Sequence, residues 1–153
     1  MEYSQSKDFL ESVRAKRNRV RRMEEALAEH VTKAETVTGV KIAEKVQTSN
    51  KATIDATLAA IEEEKKRLEE AQKELEDMLV RAREMIDLIR DDETAWQILW
   101  ERYIMGETWS AIARKMNYSL RTVHLVANAG LEKINERLHT IAHDCTSLHI
   151  KKW

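Results

Sequence analysis

Proline is absent from the sequence, and glycine occurs only as Gly39, Gly106 and Gly130. Residues that interrupt helices are thus rare, while charged residues make up 35% of the chain, and this composition favours long helices over a sheet. The one cysteine, Cys145, excludes an intramolecular disulfide and is typical of a reducing cytosol. No apolar run approaches about 18 residues and nothing resembles a signal peptide, so we expect a cytoplasmic protein without membrane contact.

Aromatic residues are scarce at 5% of the chain, and three of the four tryptophans, Trp96, Trp100 and Trp109, lie close together. Because large aromatic side chains dominate cores, we expect the one compact core in the C-terminal third. The formal net charge is -1, so the chain as a whole has no electrostatic attraction for nucleic acid. Any contact with DNA must therefore be made by a local basic patch.

The first long helix is predicted from about Ser6 to Val37, where apolar residues recur at alternating steps of four and three. This seam consists of Phe9, Val13, Val20, Met23, Leu27, Ala34 and Val37, with Lys16 and His30 in two further slots. Within it, the segment Arg14–Arg22 is strongly basic. One interpretation is a solvated face that pairs with acidic neighbours, and the other is an arm that contacts phosphates.

A second seam follows a polar connection at about 38–53, and Thr53 is predicted to cap its helix. The seam consists of Ile54, Leu58, Ile61, Leu68, Leu75, Leu79, Ala82, Ile86 and Ile89, with Lys65 and Gln72 in the remaining slots. Five heptads at this spacing predict a coiled coil. The outer face is acidic around residues 62–77, so an antiparallel hairpin with the basic first helix is the simplest arrangement. Pairing between two chains stays open.

The C-terminal third has the pattern of a helix-turn-helix. Asp92 or Thr94 is expected to cap a first helix that buries Trp96, Leu99, Trp100, Tyr103 and Ile104, and Gly106 is suited to the left-handed conformation that ends it. Thr108 then caps a short helix, and Ser119 caps a longer one after the break at Asn117 and Tyr118. Their predicted inner faces are Trp109, Ile112, Ala113 and Met116, and Val123, Ala127, Leu131 and Ile134.

This pattern continues past Ile134 through Leu138 and Ile141, and the extension is a candidate contact between two copies. The sequence therefore predicts an all-α protein with two parts. Residues 1–91 form a long antiparallel helical hairpin or coiled coil, and residues 92–153 form a helix-turn-helix with a C-terminal helical extension.

The run RYIMGETWSAIARKMNYSLRTVHLVANAGLEKI, residues 102–134, resembles the region-4 helix-turn-helix of sigma-70 factors. Ala113, Ser119, the pair Thr122–Val123 and the segment Leu131–Ile134 match that pattern in spacing. A long heptad hairpin before such a module is similar to phage-encoded late transcription regulators of the ArpU and RinA type. The resemblance implies binding of double-stranded DNA near promoters, contact with host RNA polymerase and no catalysis.

On this mapping six residues point toward the major groove: Leu120, Arg121, Thr122, His124, Leu125 and Asn128. Arg121 could read guanine and Asn128 adenine. Hydroxyls of Ser119 and Thr122 suit phosphate, and Arg114 and Lys115 could clamp the backbone. A region-4 recognition helix usually carries more cations than this one, so we expect a homodimer or a polymerase partner to add binding free energy.

Other functions are also open at this level. A small terminase subunit for DNA packaging likewise joins a helix-turn-helix to a coiled coil, and a protein that binds no DNA could use the coiled coil alone. His139 and His143 have a spacing seen in zinc sites, but a frayed polar tail around them, Cys145 and His149 is the expectation. With no glycine-rich phosphate loop and no metal-ligand motif, the sequence predicts no enzyme, cofactor or bound metal.

Overall fold

The computed structural model describes residues 3–38 and 51–151, and the side chains of residues 5–36 and 52–143. Its described part is helical and contains no strand, which confirms the predicted all-α class. The elements are α1 (Tyr3–Thr38), α2 (Lys51–Asp87), α3 (Glu93–Leu99), a π-helical turn (Trp100–Ile104), α4 (Trp109–Met116) and α5 (Leu120–Lys151). Among these helices, none combines the length and the apolar character that a membrane span requires.

The chain divides into two compact units, one made of residues 1–15 and 77–153 and the other of Lys16–Glu76. This division does not coincide with the predicted boundary between residues 91 and 92. The first unit includes the start of α1 and the end of α2, because Leu10, Val13 and Ile86 are completely buried there. The compact core therefore draws on more of the chain than the C-terminal third.

In the second unit, α1 and α2 pair antiparallel. Lys16 forms an ion pair with Glu74, Gln72 Nε2 donates to Glu24 Oε1 at 2.8 Å, and His30 Nδ1 lies 2.8 Å from Glu64 Oε1. Residue numbers rise along one helix as they fall along the other, so the two helices run antiparallel. Of the basic residues in this part of α1, Lys16 meets the acidic side of α2, as the charge pattern predicts.

The apolar seam of α2 is shifted at two positions from the prediction. Ala71 is buried although Gln72 was the predicted slot, and Lys65 is exposed while Glu64 contacts His30. Successive buried residues are three or four positions apart, and exchanging the order of two such steps leaves the buried residues before and after them on the same face. Apolar periodicity alone therefore does not show which of two neighbouring residues is buried. Thr53 is not the N-cap, since α2 already begins at Lys51.

The start of α1 also differs by one position from the predicted seam. Leu10 and Ser6 are buried, whereas Phe9 is only half-buried. The Ser6 amide donates to Asn135 Oδ1 at 3.3 Å and its hydroxyl donates to the Leu131 carbonyl at 3.5 Å. A serine in a buried slot gives no hydrophobic signal, so apolar periodicity favours Phe9 over Leu10 as the first residue of the seam.

Helices α3 and α5 approach closely at Gly130. A Cβ atom there would lie 3.1 Å from Ala95 Cβ, 3.2 Å from Leu99 Cδ1 and 3.3 Å from Ile89 Cδ1. These distances are shorter than ordinary carbon contacts, so the two helices can pack this closely only because residue 130 has no side chain. Gly130 thus sets the distance between α5 and α3.

The tryptophans of the first C-terminal helix are half-buried, which corrects the prediction that they form its buried face. Trp96 and Trp100 stack on each other with ring centroids 4.9 Å apart, and Trp96 Nε1 donates to Asp87 Oδ1 at 3.0 Å. Ile98 is buried instead. The other residues of the predicted face, Leu99, Tyr103 and Ile104, are buried as predicted.

Candidate nucleic-acid interface

Helix α4 begins and ends at the predicted residues. Thr108 Oγ1 accepts from the Ala111 amide at 3.2 Å, which caps the helix. Asn117 adopts the left-handed conformation at φ 56°, and the amide of Tyr118 donates to the carbonyl of Ala113 at 3.0 Å. This is the Schellman arrangement, with asparagine where glycine is usual, and it reverses the chain in a single residue.

Helix α5 starts immediately after this reversal. Ser119 Oγ accepts from the Thr122 amide at 3.1 Å, and the Ser119 carbonyl accepts from the Val123 amide at 3.1 Å. The two hydroxyls of Ser119 and Thr122 also lie 2.8 Å apart. The predicted cap at Ser119 is therefore confirmed, and it fixes where the exposed residues of α5 begin.

The predicted buried rows hold α4 and α5 together. Ile112 and Ala113 on α4 are buried, and so is the row on α5 formed by Val123, Ala127, Leu131 and Ile134. Trp109 and Met116, at the ends of the α4 row, are half-buried. These apolar contacts, rather than polar ones, give the two helices their mutual angle.

The opposite side of α5 carries a row of accessible side chains. At about 3.6 residues per turn, Arg121, Leu125 and Asn128 lie away from the row that contains Ala127. Arg121 is exposed, Leu125 is 59% exposed and Asn128 is half-buried. We call Arg121, Leu125 and Asn128 the outward row. Leu120, the first residue of the helix, is 47% exposed and lies on the side of the buried row.

Charge is distributed unevenly around this module. Between Thr108 and Leu131 the chain has three basic residues and no acidic one, in a protein of net charge -1. Arg114 and Arg121 are exposed and form no ion pair within the described part of the chain. Lys115 instead lies 2.7 Å from Glu101 Oε1, and this hydrogen bond raises the pKa of the lysine. Two of the three cations are thus available to a ligand.

His124 differs from the other predicted groove residues because it contacts an aromatic ring. Its ring centroid lies 4.6 Å from that of Trp109, and the guanidinium of Arg102 lies 4.4 Å from the same Trp109 ring. His124 is half-buried by this contact. Its first role is therefore to pack α5 on the start of α4.

Arg14 supports the loop in front of α4. Its Nη1 donates to the carbonyls of Arg102 at 3.3 Å, Gly106 at 3.3 Å and Glu107 at 3.2 Å. Gly106 has a φ of 81°, the left-handed conformation predicted for it. Arg14 thus satisfies carbonyls left free where the helix ends. Sequence reasoning missed this role, because the partners lie 88 to 93 residues away.

The remainder of the basic segment of α1 serves in part as a partner for acidic residues. Lys16 pairs with Glu74, and Arg21 lies 4.0 Å from Glu25 one turn later. Arg19 and Arg22 are exposed. The prediction of a charged face that pairs with acidic neighbours is confirmed for Lys16, and the phosphate-contacting arm stays a prediction.

Two ion pairs hold the middle of α5 against the turn between α2 and α3. Arg137 Nη2 donates to Asp91 Oδ2 at 2.9 Å, and Lys133 Nζ donates to Asp92 Oδ2 at 2.6 Å. The hydrogen bond from Arg137 lowers the pKa of Asp91 to about 2, and that from Lys133 lowers the pKa of Asp92. Arg137 also donates to the carbonyl of Leu88.

Tyr103 links the π-helical turn to α1. Its hydroxyl donates to Glu11 Oε1 at 2.9 Å, and the ring is buried. Burial and the adjacent carboxylate raise the pKa of this tyrosine well above its usual range. The contact is a structural one, since Tyr103 lies on the buried side of the turn.

No group of three or more histidine, cysteine or carboxylate side chains that could hold a metal ion occurs in the described part of the chain. His139 and His143 are exposed, and the side chains of Cys145 and His149 lie outside the described residues. Comparison with protein-family models, curated proteins and solved structures finds no match. Function is therefore inferred from the helix-turn-helix and its exposed face.

Proposed function

We propose that the protein is a sequence-specific DNA-binding regulator of transcription, phage or prophage encoded, that acts at promoters together with host RNA polymerase. The observation that carries this proposal is the outward row on α5, which lies in a stretch with three basic residues and no acidic one. A capped helix after a tight reversal is the element that helix-turn-helix proteins place in the major groove. The resemblance of residues 102–134 to sigma region 4 supports binding at promoters and contact with host RNA polymerase.

The size of the helix suits this role. An α-helix with its side chains is about 10–12 Å across, and the major groove of B-DNA is about 12 Å wide. In that groove Arg121 can donate two hydrogen bonds to guanine, and Asn128 can exchange two with adenine. Both side chains are partly or fully accessible, and Arg121 has no competing carboxylate among the described residues.

Phosphate contacts would come from the start of α5 and from α4. In the pair formed by Ser119 and Thr122 one hydroxyl donates to the other, so one O–H is left to donate to a phosphate oxygen. Arg114 supplies a free cation at the end of α4. Because the module has few cations, few counterions are released from the DNA when it binds, and one copy binds weakly. A second copy or the polymerase then adds the remaining binding free energy.

The proposal is tested by selecting bound sequences from a pool of random DNA duplexes, with and without host RNA polymerase. We expect enrichment of a defined site and loss of retention when Arg121→Ala is combined with Asn128→Ala. The matched control combines Arg83→Ala with Gln97→Ala, two exposed residues elsewhere on the first unit, and should retain the site. Absence of DNA retention at low salt, with polymerase and without it, would contradict the proposal.

A second candidate, a protein-interaction module that binds no DNA, is favoured by one observation. Tyr118 and Leu120, two residues apart at the turn before α5, are large and are 42% and 47% exposed. Exposed apolar groups that lie together are typical of surfaces that bind another protein. Under this reading the double variant Arg121→Ala, Asn128→Ala leaves biological function intact, and under the first reading it abolishes function.

A further inference from the structure

Leu125 occupies the centre of the outward row. It is 59% exposed, with Arg121 one turn before it and Asn128 one turn after it. Single exposed leucines are common on protein surfaces, so exposure alone means little. The informative feature is that a side chain without any hydrogen-bonding group lies between the two residues best suited to read base edges.

The chemistry of the major groove leaves one partner for such a side chain. Base edges there present hydrogen-bond donors and acceptors, and the C5-methyl group of thymine is the one apolar group among them. A leucine placed against the N4 amine of cytosine or O6 of guanine would remove water from a polar group and give nothing in return. Contact with a thymine methyl group removes water from two apolar surfaces instead.

The other exposed leucine of the module does not have this placement. Leu120 is the first residue of α5 and lies on the side of the buried row, two turns before Ala127. The groove-facing position is therefore specific to Leu125. Ile141, on the same helix but outside the module, is exposed to a similar extent at 48% and serves as a comparison.

We propose that Leu125 recognises a thymine through its C5-methyl group, at a base pair between those contacted by Arg121 and Asn128. This inference rests on the proposed function and names the class of DNA that it binds. The site has a thymine that is read without hydrogen bonds, flanked by bases that are read with them. Discrimination at the central position then comes from apolar contact and from the exclusion of polar edges.

Uracil tests this directly, because it pairs like thymine and lacks only the methyl group. The full-length chain is first used to enrich a duplex from the random pool. That duplex is then synthesised with uracil at one thymine position at a time, and its Kd is measured for the wild type, Leu125→Ala and the control Ile141→Ala. Thermal unfolding of each variant checks that the fold is retained.

At one thymine we expect uracil to weaken binding by the wild type and by Ile141→Ala about fourfold, the contribution of burying one methyl group. Leu125→Ala should bind the thymine and uracil duplexes about equally. Equal responses of wild type and Leu125→Ala at every thymine overturn the inference and leave the proposed function intact. The inference is also overturned if Leu125→Ala keeps its DNA affinity but no longer retains host polymerase. Leu125 would then contact a protein and not a base. Failure to enrich any DNA overturns both proposals.

Discussion

Asp92 binds two elements at once: its Oδ1 accepts from the Ala95 amide at 3.3 Å, and its Oδ2 lies 2.6 Å from Lys133 Nζ. The carboxylate that caps α3 therefore also holds the middle of α5. Because α5 carries the outward row, the start of α3 helps to fix the helix proposed to enter the groove. The stability and the orientation of the module depend on this short turn.

Replacing Asp92 by alanine should lower the free energy of unfolding by about 1–2 kcal/mol, from the lost cap and a partly exposed ion pair. Urea unfolding measures this change. The control is Asp77→Ala, an exposed carboxylate on α2, which should change stability by less than about 0.5 kcal/mol. Equal effects of the two substitutions would show that Asp92 has no bridging role.

Acid should weaken the attachment of α5. The pKa of Asp91 is lowered to about 2 in the folded protein by its hydrogen bond with Arg137, and an unfolded aspartate titrates at about pH 3.9. The folded pKa is the lower one, so this stabilisation is present above about pH 4 and is lost as the pH falls toward 2.

The measurement compares the wild type with Arg137→Met in urea at several pH values. The stability difference between them should be present at pH 6 and shrink as the pH approaches 2. Arg83→Met, at an exposed arginine of α2, should give no such trend. A difference that stays constant across this range would refute the assignment to Asp91.

Gly130→Ala should destabilise the first unit. The new methyl group would lie 3.1 Å from Ala95 Cβ, which cannot move without shifting α3. Overpacking costs about 1–3 kcal/mol and exceeds the gain of about 1 kcal/mol in helix propensity. Adding Ala95→Gly should recover part of the loss, and a double-mutant cycle of thermal or urea unfolding measures the coupling. Additive effects would mean that the two residues do not meet.

Arg14→Ala should destabilise the loop that leads into α4, by about 1–2 kcal/mol, because three carbonyls lose a charged donor. Arg14→Lys should restore part of the loss, since all three bonds come from the single nitrogen Nη1 and an ammonium group also has several N–H donors on one nitrogen. Arg19→Ala, at an exposed arginine of α1, is the control. Unfolding monitored by tryptophan fluorescence reports the change, and a neutral Arg14→Ala would remove the loop-supporting role.

Oligomeric state separates regulation from DNA packaging. Under the proposed function, light scattering of the purified chain should give a monomer or a dimer. A ring of eight or more subunits would favour the packaging subunit. The measurement is made at several concentrations, since dimerisation through α5 would follow mass action.

Local rules predicted the helix-turn-helix well. The caps at Thr108 and Ser119, and the buried row through Val123 and Ala127, involve residues at most four apart along the chain. Helix periodicity and capping chemistry are local, so one sequence contains enough information to place them. The ion pair between Lys16 and Glu74 could also be anticipated, because α1 is basic over residues 14–22 and α2 is acidic around residues 62–77.

Contacts between residues far apart along the chain could not be predicted from the sequence. Ser6, Arg14 and Gly130 act on partners that the fold brings near, and Ser6 and Asn135 are 129 residues apart along the chain. A serine, an arginine and a glycine have no hydrophobic signal that marks them as packing residues. The half-burial of Trp96 was likewise not predicted, since its stacking on Trp100 and its hydrogen bond to Asp87 depend on how the helices pack. DNA recognition by the outward row stays a prediction.

Helix α5 runs without interruption from Leu120 to Lys151, a length of about 48 Å at 1.5 Å per residue. Its N-terminal turns carry the outward row, and its last turns extend well past Ile134, the end of the buried row. A protein held by those last turns would thus stand at a fixed spacing and angle from the bound base pairs. The helix would then fix the distance between that protein and the DNA. Inserting one residue within the extension would rotate the partner by about 100° about the helix axis relative to the DNA-bound end.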